Sequence, residues 1–371
     1  MIEYLMQNKK LESRKLYEEV FPEDSKEFLD YYFQNKIENH KVLVKRLQNS
    51  VVGMLHCNPH LLSIKGQKEE IDYIYAVATK RGYRKQGIMK EMLMKALNDM
   101  HKEGKPFAYL IPVAEKIYSP FGFTYVSNNH KITIKRKTLL KAASINTVNL
   151  IDINDSNGDN NMRLNELAQF TNRILEEKAD IFSYRNLSYY RDLLFQLKIA
   201  NGQIELFYKD NELQGYCHMN QDGQMSIQEI LCQRDDMDLF IQAILEKYSQ
   251  DEISVAGIFE EFEGNQELNP SRIQFVMARI LNLESFFSYI TSREELEVVI
   301  EITDPVIKEN NGVFFWKCNE SGSVLRRSNE TPMCKFGISD LTAWLFGYKE
   351  EISKVLLAVN TFSGVFINEE V

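Results

Sequence analysis

The sequence has little of what marks several protein classes. Five cysteines (Cys57, Cys217, Cys232, Cys318, Cys334) are scattered through 371 residues and never spaced Cys-x-x-Cys. That argues for reduced thiols rather than disulfides or a zinc site. Six histidines show no metal-ligand spacing, so no metal is expected. No apolar run reaches about 18 residues, which excludes a transmembrane helix. The opening MIEYLMQNKKLESRK has no apolar core of signal-peptide length, so a cytoplasmic location is expected. Positive charge is in deficit: 44 Lys and Arg against 53 Asp and Glu give a net charge of −9. This argues against nucleic acid or an anionic membrane surface as partner, and suits a cationic substrate. A Walker A loop is excluded because no Gly-Lys-Ser/Thr occurs. A dinucleotide fingerprint is excluded because only one of its three glycines is in place.

What is present is apolar residue in quantity, 44% of the chain, enough for two or three cores at this length. Residues 11–21 and 23–33 have helical spacing. Residues 42–57 read as two strands around Gln48-Asn49-Ser50, a hairpin signature, and residues 70–79 as a third strand. Ile88, Met89, Met92, Leu93, Ala96, Leu97 and Met100 fall at 3.6-residue spacing and predict a long helix, followed by a buried strand at 107–111. This is an α/β pattern, a mixed sheet with helices on its faces. A polar tract at 152–161 marks a boundary. Beyond it, residues 204–219, 226–232 and 235–248 echo the earlier strand, strand, strand, helix order. From 286 the pattern changes again: strands at 295–305 and 310–319, a helix at 338–347 and a last helix at 350–359. Val365, Phe366 and Ile367 are too apolar for a loose tail and are expected to be buried.

The junction at 77–93, VATKRGYRKQGIMKEML, breaks a rule of helix starts. Arg81, Arg84 and Lys85 stand where acidic residues normally complement the helix dipole. Cations and glycines at that end suit an anion, with backbone N–H groups from Arg84 to Met89 converging on phosphate oxygens. The second copy lacks this junction and reads as a degenerate duplicate.

The order Val77-Ala78-Thr79, Arg84-Lys85-Gln86-Gly87, long helix, strand, then Ile117-Tyr118-Ser119-Pro120-Phe121-Gly122-Phe123 resembles the GNAT acetyltransferases. With Met89 at the usual closing Gly/Ala position, a motif-less second copy and a C-terminal α/β segment, the chain resembles their enhanced-intracellular-survival (Eis) group. Residues 276–286 and 338–348 and the ending Phe366-Ile367-Asn368-Glu369-Glu370-Val371 belong to the same likeness. The resemblance implies two tandem GNAT folds and a sterol-carrier-protein-like domain: an active domain at 1–143, a degenerate one at 144–285, and the third at 286–371. It implies acetyl-CoA as co-substrate, a primary amine of an aminoglycoside or lysine side chain as acceptor, and a hexamer. Val77 and Thr79 would bond the pantetheine through their backbones. Arg84, Lys85, Gly87 and Ile88 would form the diphosphate turn. Tyr118 would be the general acid, and the Val371 carboxylate would take the amine proton. The family's usual Arg is Pro120 here, and a serine before the tyrosine loop is replaced near Val113. A carboxylate of pKa about 3.5 is a weak base for an ammonium of about 10, so it orients the amine or passes its proton through water. Glu23-Asp24 and Glu369-Glu370 are candidate attractors of a cationic amine. Two further readings stay open. One is an apolar-ligand carrier lined by Val298, Val299, Phe314, Trp316, Leu341 and Leu345; the other is a coenzyme A-binding protein without turnover.

Overall fold

In the computed structural model, residues 1–136, 148–153, 160–220, 225–257, 271–350 and 353–368 are described. Two units emerge from the contacts: Met1–Ser127 with Phe275–Val365, and Asn128–Gln274 with Phe366–Val371. Among the described residues no helix is long and apolar enough to cross a membrane.

In the first unit, β1 (Ile2–Tyr4), β2 (Lys41–Leu47), β3 (Ser50–Ile64) and β4 (Gln67–Thr79) form an antiparallel run. Two tight turns set its register. Gln48 and Asn49 have φ of 47° and 63°, and Lys65 and Gly66 have 47° and 79°. Positive φ at both central residues matches the right-handed twist of the flanking strands, so these hairpins close without splaying. Helices α1 (Arg14–Val20) and α2 (Lys26–Tyr31) follow β1, and the Ser25 side chain caps α2 by accepting from the Phe28 N–H at 3.1 Å. Helix α3 (Ile88–Lys102) buries Ile88, Met92, Leu93, Ala96, Leu97 and Met100 against the sheet. It lies close because Gly53 has no side chain: a Cβ there would sit 2.7 Å from Ile88 Cγ2 and 2.9 Å from Met92 Sδ.

Strand β5 (Phe107–Leu110) runs parallel to β4, but the register contains a single pair, Tyr73 with Tyr109. Beyond it the two strands part. Helix α4 (Glu115–Tyr118) and β6 (Thr124–Tyr125) complete the first stretch.

The second unit repeats this order with other parts of the chain. Its sheet contains β7 (Asn128–Lys135), β8 (Val148–Asp152), β10 (Gly202–Lys209), β11 (Glu212–Asn220), β12 (Ser226–Cys232), β13 (Glu252–Val255) and β14 (Ser271–Gln274). A short strand, β9 (Ile181–Ser183), lies between α5 (Asn160–Lys178) and α6 (Leu187–Ile199), and α7 (Met237–Lys247) follows β12. The order is β8-β10-β11-β12-β13-β7-β14, with β12 and β13 parallel. In the first unit the sixth place, beside β5, belongs to β15 (Met277–Ile280); in the second it belongs to β7. The two copies therefore exchange their sixth-place strands. Residues 128–135 and 277–280 thus each complete the sheet of the other copy.

After β15 come α8 (Leu283–Phe287) and β16 (Thr291–Ser292). A four-stranded sheet, β19-β18-β17-β20, is built from β17 (Leu296–Thr303), β18 (Gly312–Asn319), β19 (Gly322–Arg327) and β20 (Cys334–Gly337), with α9 (Ile338–Leu345) after it. Val298, Val299, Phe314, Trp316, Leu341 and Leu345 are all buried, and the Trp316 ring lies 5.0 Å from that of Phe287 and 6.3 Å from that of Trp344. The helix expected at 350–359 is not one among the described residues. Lys354–Leu356 is a 3-10 turn, and Val359–Asn360 pairs as a strand with β16, so cross-strand pairing overrides the local spacing.

Arg279 on β15 ties this segment to the first sheet. Its guanidinium is fully buried, 2.5 Å from Asp304 Oδ2, and it donates at 2.5 Å to the Phe121 carbonyl just after α4. Asp304 also accepts from the N–H groups of Val306 and Ile307. Asp304→Ala leaves a buried cation without its partner and is expected to cost about 3–5 kcal/mol. The urea midpoint measures it; a loss below about 1 kcal/mol, the ordinary surface-mutation range, would contradict the locking role.

Candidate active site

The 77–93 stretch folds as an open turn between β4 and α3. Tyr83 N–H donates to the Lys80 carbonyl, closing a short 3-10 turn at Arg81–Tyr83. Arg84 is extended, Lys85 is left-handed at φ 62°, and Gly87 caps α3 at φ 80° with no side-chain cap. The Arg84 Nε donates at 3.0 Å to the Thr79 carbonyl, bracing the turn on the end of β4. Among the described residues, no acceptor meets the backbone N–H groups from Lys85 to Lys90; the first α3 bond here is Glu91 N–H to Gly87 O at 3.0 Å. Arg84, Lys85, Gln86 and Gly87 are exposed, while Ile88 is buried beneath them as the anchor of the helix start. Unpaired N–H groups, the positive end of a 15-residue helix and two cations gather positive potential at this turn, with Glu91 the acid in the helix's first turn. Because a Cβ on Gly87 would meet nothing within 4 Å, the glycine is needed for its backbone angle, not for clearance inside the protein.

Val77 and Thr79 lie on the β4 edge that faces the gap beyond Tyr73. Just before them, Ala76 has φ 49°, and the register with β3 shifts between Met54 and His56. This bulge re-aims the strand at the mouth of the gap. No sequence signal marks it, since alanine has no special liking for that angle.

Tyr118 ends α4, is 8% exposed, and belongs to the same apolar cluster as Ile88, Met92 and Leu110, against which Val77 and Met89 also pack. Its ring meets Phe123 edge-on at 6.2 Å. Burial raises its pKa above the ordinary phenol value.

The other face of the β3–β4 pair is aromatic and polar. His56, Asn58, Tyr73 and Tyr75 line it, with Tyr17 of α1 and Tyr32 just after α2 packed over them. The Tyr32 hydroxyl bonds His56 Nδ1 at 2.7 Å and His40 Nδ1 at 3.1 Å. Desolvation lowers His56 to about 3 and His40 to about 2, so both are neutral. Asp24 reaches this group through Tyr17, which donates to its Oδ2 at 2.9 Å.

Comparison with known families and structures agrees with this geometry. Residues 2–126 match the acetyltransferase (GNAT) domain, and residues 279–353 match the sterol carrier protein domain. The chain carries a GNAT acetyltransferase domain and a C-terminal sterol carrier protein domain. Three solved structures share the fold over almost the whole length. A probable N-acyltransferase from Enterococcus faecalis V583 is 16% identical, covers 97% of this chain and 93% of its own, and has a TM-score of 0.80. A GCN5-related N-acetyltransferase from Anabaena variabilis is 17% identical, with 97% and 94% covered and a TM-score of 0.77. Eis1 from Mycobacterium abscessus is 13% identical, with 100% and 99% covered and a TM-score of 0.73. At such identities the likeness establishes the fold. The comparison with curated proteins gives no match.

The second GNAT-like sheet has the same parting of parallel strands, with β12 and β13 paired only at Ser226–Ser254 and Ile227–Val255. Its helix start is electrostatically opposite. Asp235 and Asp236 precede α7, Asp238 lies in its first turn, and Asp236 holds Lys209 at 2.5 Å. Carboxylates there complement the dipole and repel a diphosphate. In the same unit Phe366 packs on the helical core, and the Asn368 amide donates to the Gln228 carbonyl at 3.1 Å and to Glu229 at 3.3 Å. Glu229 is itself held by the fully buried Arg185 at 2.6 Å. Glu369, Glu370 and Val371 lie outside the described residues.

Gly87→Ala separates an anion site from a plain basic turn. The left-handed angle is expected to cost about 1 kcal/mol in stability. Coenzyme A affinity, by calorimetry, is expected to fall at least tenfold, because the added methyl would stand in the open space at the turn where a diphosphate would bind. Unchanged affinity would contradict the site.

Proposed function

We propose that this GNAT domain transfers acetyl from acetyl-CoA to a primary amine of a cationic acceptor, an aminoglycoside or a lysine side chain. The observation that carries the proposal is the row of unpaired N–H groups at the start of α3 beside a strand edge left open by the parting of β4 and β5. Lys85 to Lys90, with Arg84, hold the diphosphate through backbone and charge. Val77 and Thr79 hold the pantetheine arm as β4 would hold an added strand. A backbone N–H near Val77 donates to the developing oxyanion. Tyr118 protonates the departing thiolate. Between ordinary phenol and thiol values that transfer is uphill by about 2 kcal/mol, and burial makes it steeper; alignment in a dry site offsets this. Burial also keeps the phenol protonated at neutral pH. The acidic Glu23 and Asp24 beside the aromatic face attract the cation. The Val371 carboxylate orients the amine as the amine gives up its proton.

The proposal retains three functional parts: the active GNAT domain, a GNAT-like second copy without a diphosphate site, and the sterol-carrier domain that buttresses the Tyr118 loop through Arg279. It includes a hexamer in the cytoplasm, as the Eis-like resemblance implies.

Thiol release from acetyl-CoA with spermidine, neomycin and a lysine peptide tests the reaction. Turnover with at least one amine is expected; hydrolysis alone or silence would contradict it. Tyr118→Phe is expected to lower kcat about 10²–10⁴-fold with coenzyme A affinity retained. One residue added after Val371 is expected to abolish turnover with coenzyme A affinity intact, and full activity would remove that carboxylate from the mechanism.

A further inference from the structure

The acylated amine must lose a proton, and the first unit contains a hydrogen-bonded chain of side chains that starts on β4 and ends at a half-buried carboxylate. Tyr75 sits on β4 two residues before Val77, on the face away from α3; Cys57 and Ile74 point to the α3 side. Its hydroxyl is hydrogen-bonded to the Tyr17 hydroxyl, and Tyr17 bonds Asp24 Oδ2 at 2.9 Å. Tyr17 is fully buried, whereas Asp24, on the loop between α1 and α2, is half-buried and reaches the surface.

The direction of this chain is fixed by its end. A carboxylate only accepts, so Tyr17 donates to Asp24. The Tyr17 oxygen then accepts from Tyr75, which leaves the lone pairs of Tyr75 free to receive a proton. We propose that Tyr75, Tyr17 and Asp24 form a proton exit that carries the amine proton from the reacting centre to the surface. This rests on the acetyltransferase reading above. As the amine nitrogen bonds the acetyl carbon, its N–H proton passes to Tyr75 Oη. The Tyr75 proton moves to Tyr17 Oη, the Tyr17 proton to Asp24 Oδ2, and the Asp24 carboxyl releases it to water. Separately, the Tyr118 proton goes to the thiolate. The terminal carboxylate keeps its orienting role, and the proton's destination becomes Asp24.

A competing branch runs through Tyr32 to His56 and His40. Those imidazoles, lowered to about 3 and about 2 by burial, do not hold a proton at neutral pH. Desolvation raises Asp24 instead, which favours its protonated form. The titratable and charged groups facing the chain are Glu23 beside Asp24, Tyr32 and His56 against Tyr17, Tyr73 beside Tyr75, and Lys10 acting on His56.

The test compares wild type, Tyr75→Phe, Asp24→Asn and the double variant with spermidine and neomycin. Each single variant is expected to lose at least tenfold in kcat with KM for acetyl-CoA unchanged. The double variant is expected to be no worse than the singles, as for residues acting as a unit. The acidic limb of the wild-type kcat profile, where Asp24 takes up a proton, is expected to vanish in Asp24→Asn. A rise in amine KM with kcat intact would leave Asp24 only its cation-attracting role and overturn the exit. So would additive losses, or no loss. If Tyr75→Phe does not fold, Asp24→Asn at its partly exposed position decides by the same readouts. Wild-type silence with both amines overturns the acetyltransferase reading and the exit together, whereas active wild type with unaltered variants overturns the exit alone.

Discussion

One electrostatic arrangement governs the first unit: a helix whose first N–H groups are unpaired and preceded by Arg81, Arg84 and Lys85, with Glu91 as the acid of its first turn held by Lys45. Such an end is unfavourable unless an anion occupies it, because the dipole and the arginines repel one another. The neighbouring structure serves to hold that end in place. Gly53 lets α3 settle onto β3, Ile88 pins its first turn, and Gly87 and Lys85 supply the two left-handed angles that turn the N–H groups outward. The parting of β4 from β5 after one pair, with the bulge at Ala76, opens an edge that leads from this end toward Tyr118.

The C-terminal segment contributes to the same site from within the first unit. Strand β15 fills the sheet beside β5, and its Arg279 reaches both the Asp304 carboxylate and the Phe121 carbonyl. The loop carrying Tyr118 is thereby fastened by residues more than 150 positions away in sequence. A Cβ on Gly122 would lie 2.7 Å from Ile338 Cγ2, so the same loop is also close-packed against the start of α9. Arg279 and the start of α9 thus brace the loop that carries Tyr118.

Much of this was legible in sequence, for local reasons. Helix α3 announced itself by spacing, the first hairpin by Gln48-Asn49 and its flanking apolar runs, and the uncapped start of α3 by cations where acids belong. The strand exchange was not, since β7 alternates like any half-buried strand, β15 reads like any short buried one, and pairing partners are chosen by the whole sheet. Nor was the Arg279–Asp304 pair, whose members sit in apolar runs that read as core. The 350–359 helix was misread because Val359 satisfies strand pairing with β16 better than a short helix satisfies its own ends. The Tyr75–Tyr17–Asp24 chain joins three elements and leaves no trace in any of them.

The most direct measurement is a structure of the full chain with coenzyme A bound. The diphosphate oxygens should lie within hydrogen-bond distance of several backbone N–H groups between Lys85 and Lys90, with the thiol toward Tyr118. A diphosphate bound elsewhere, or one held by side chains alone while those N–H groups stay unpaired, would contradict the account.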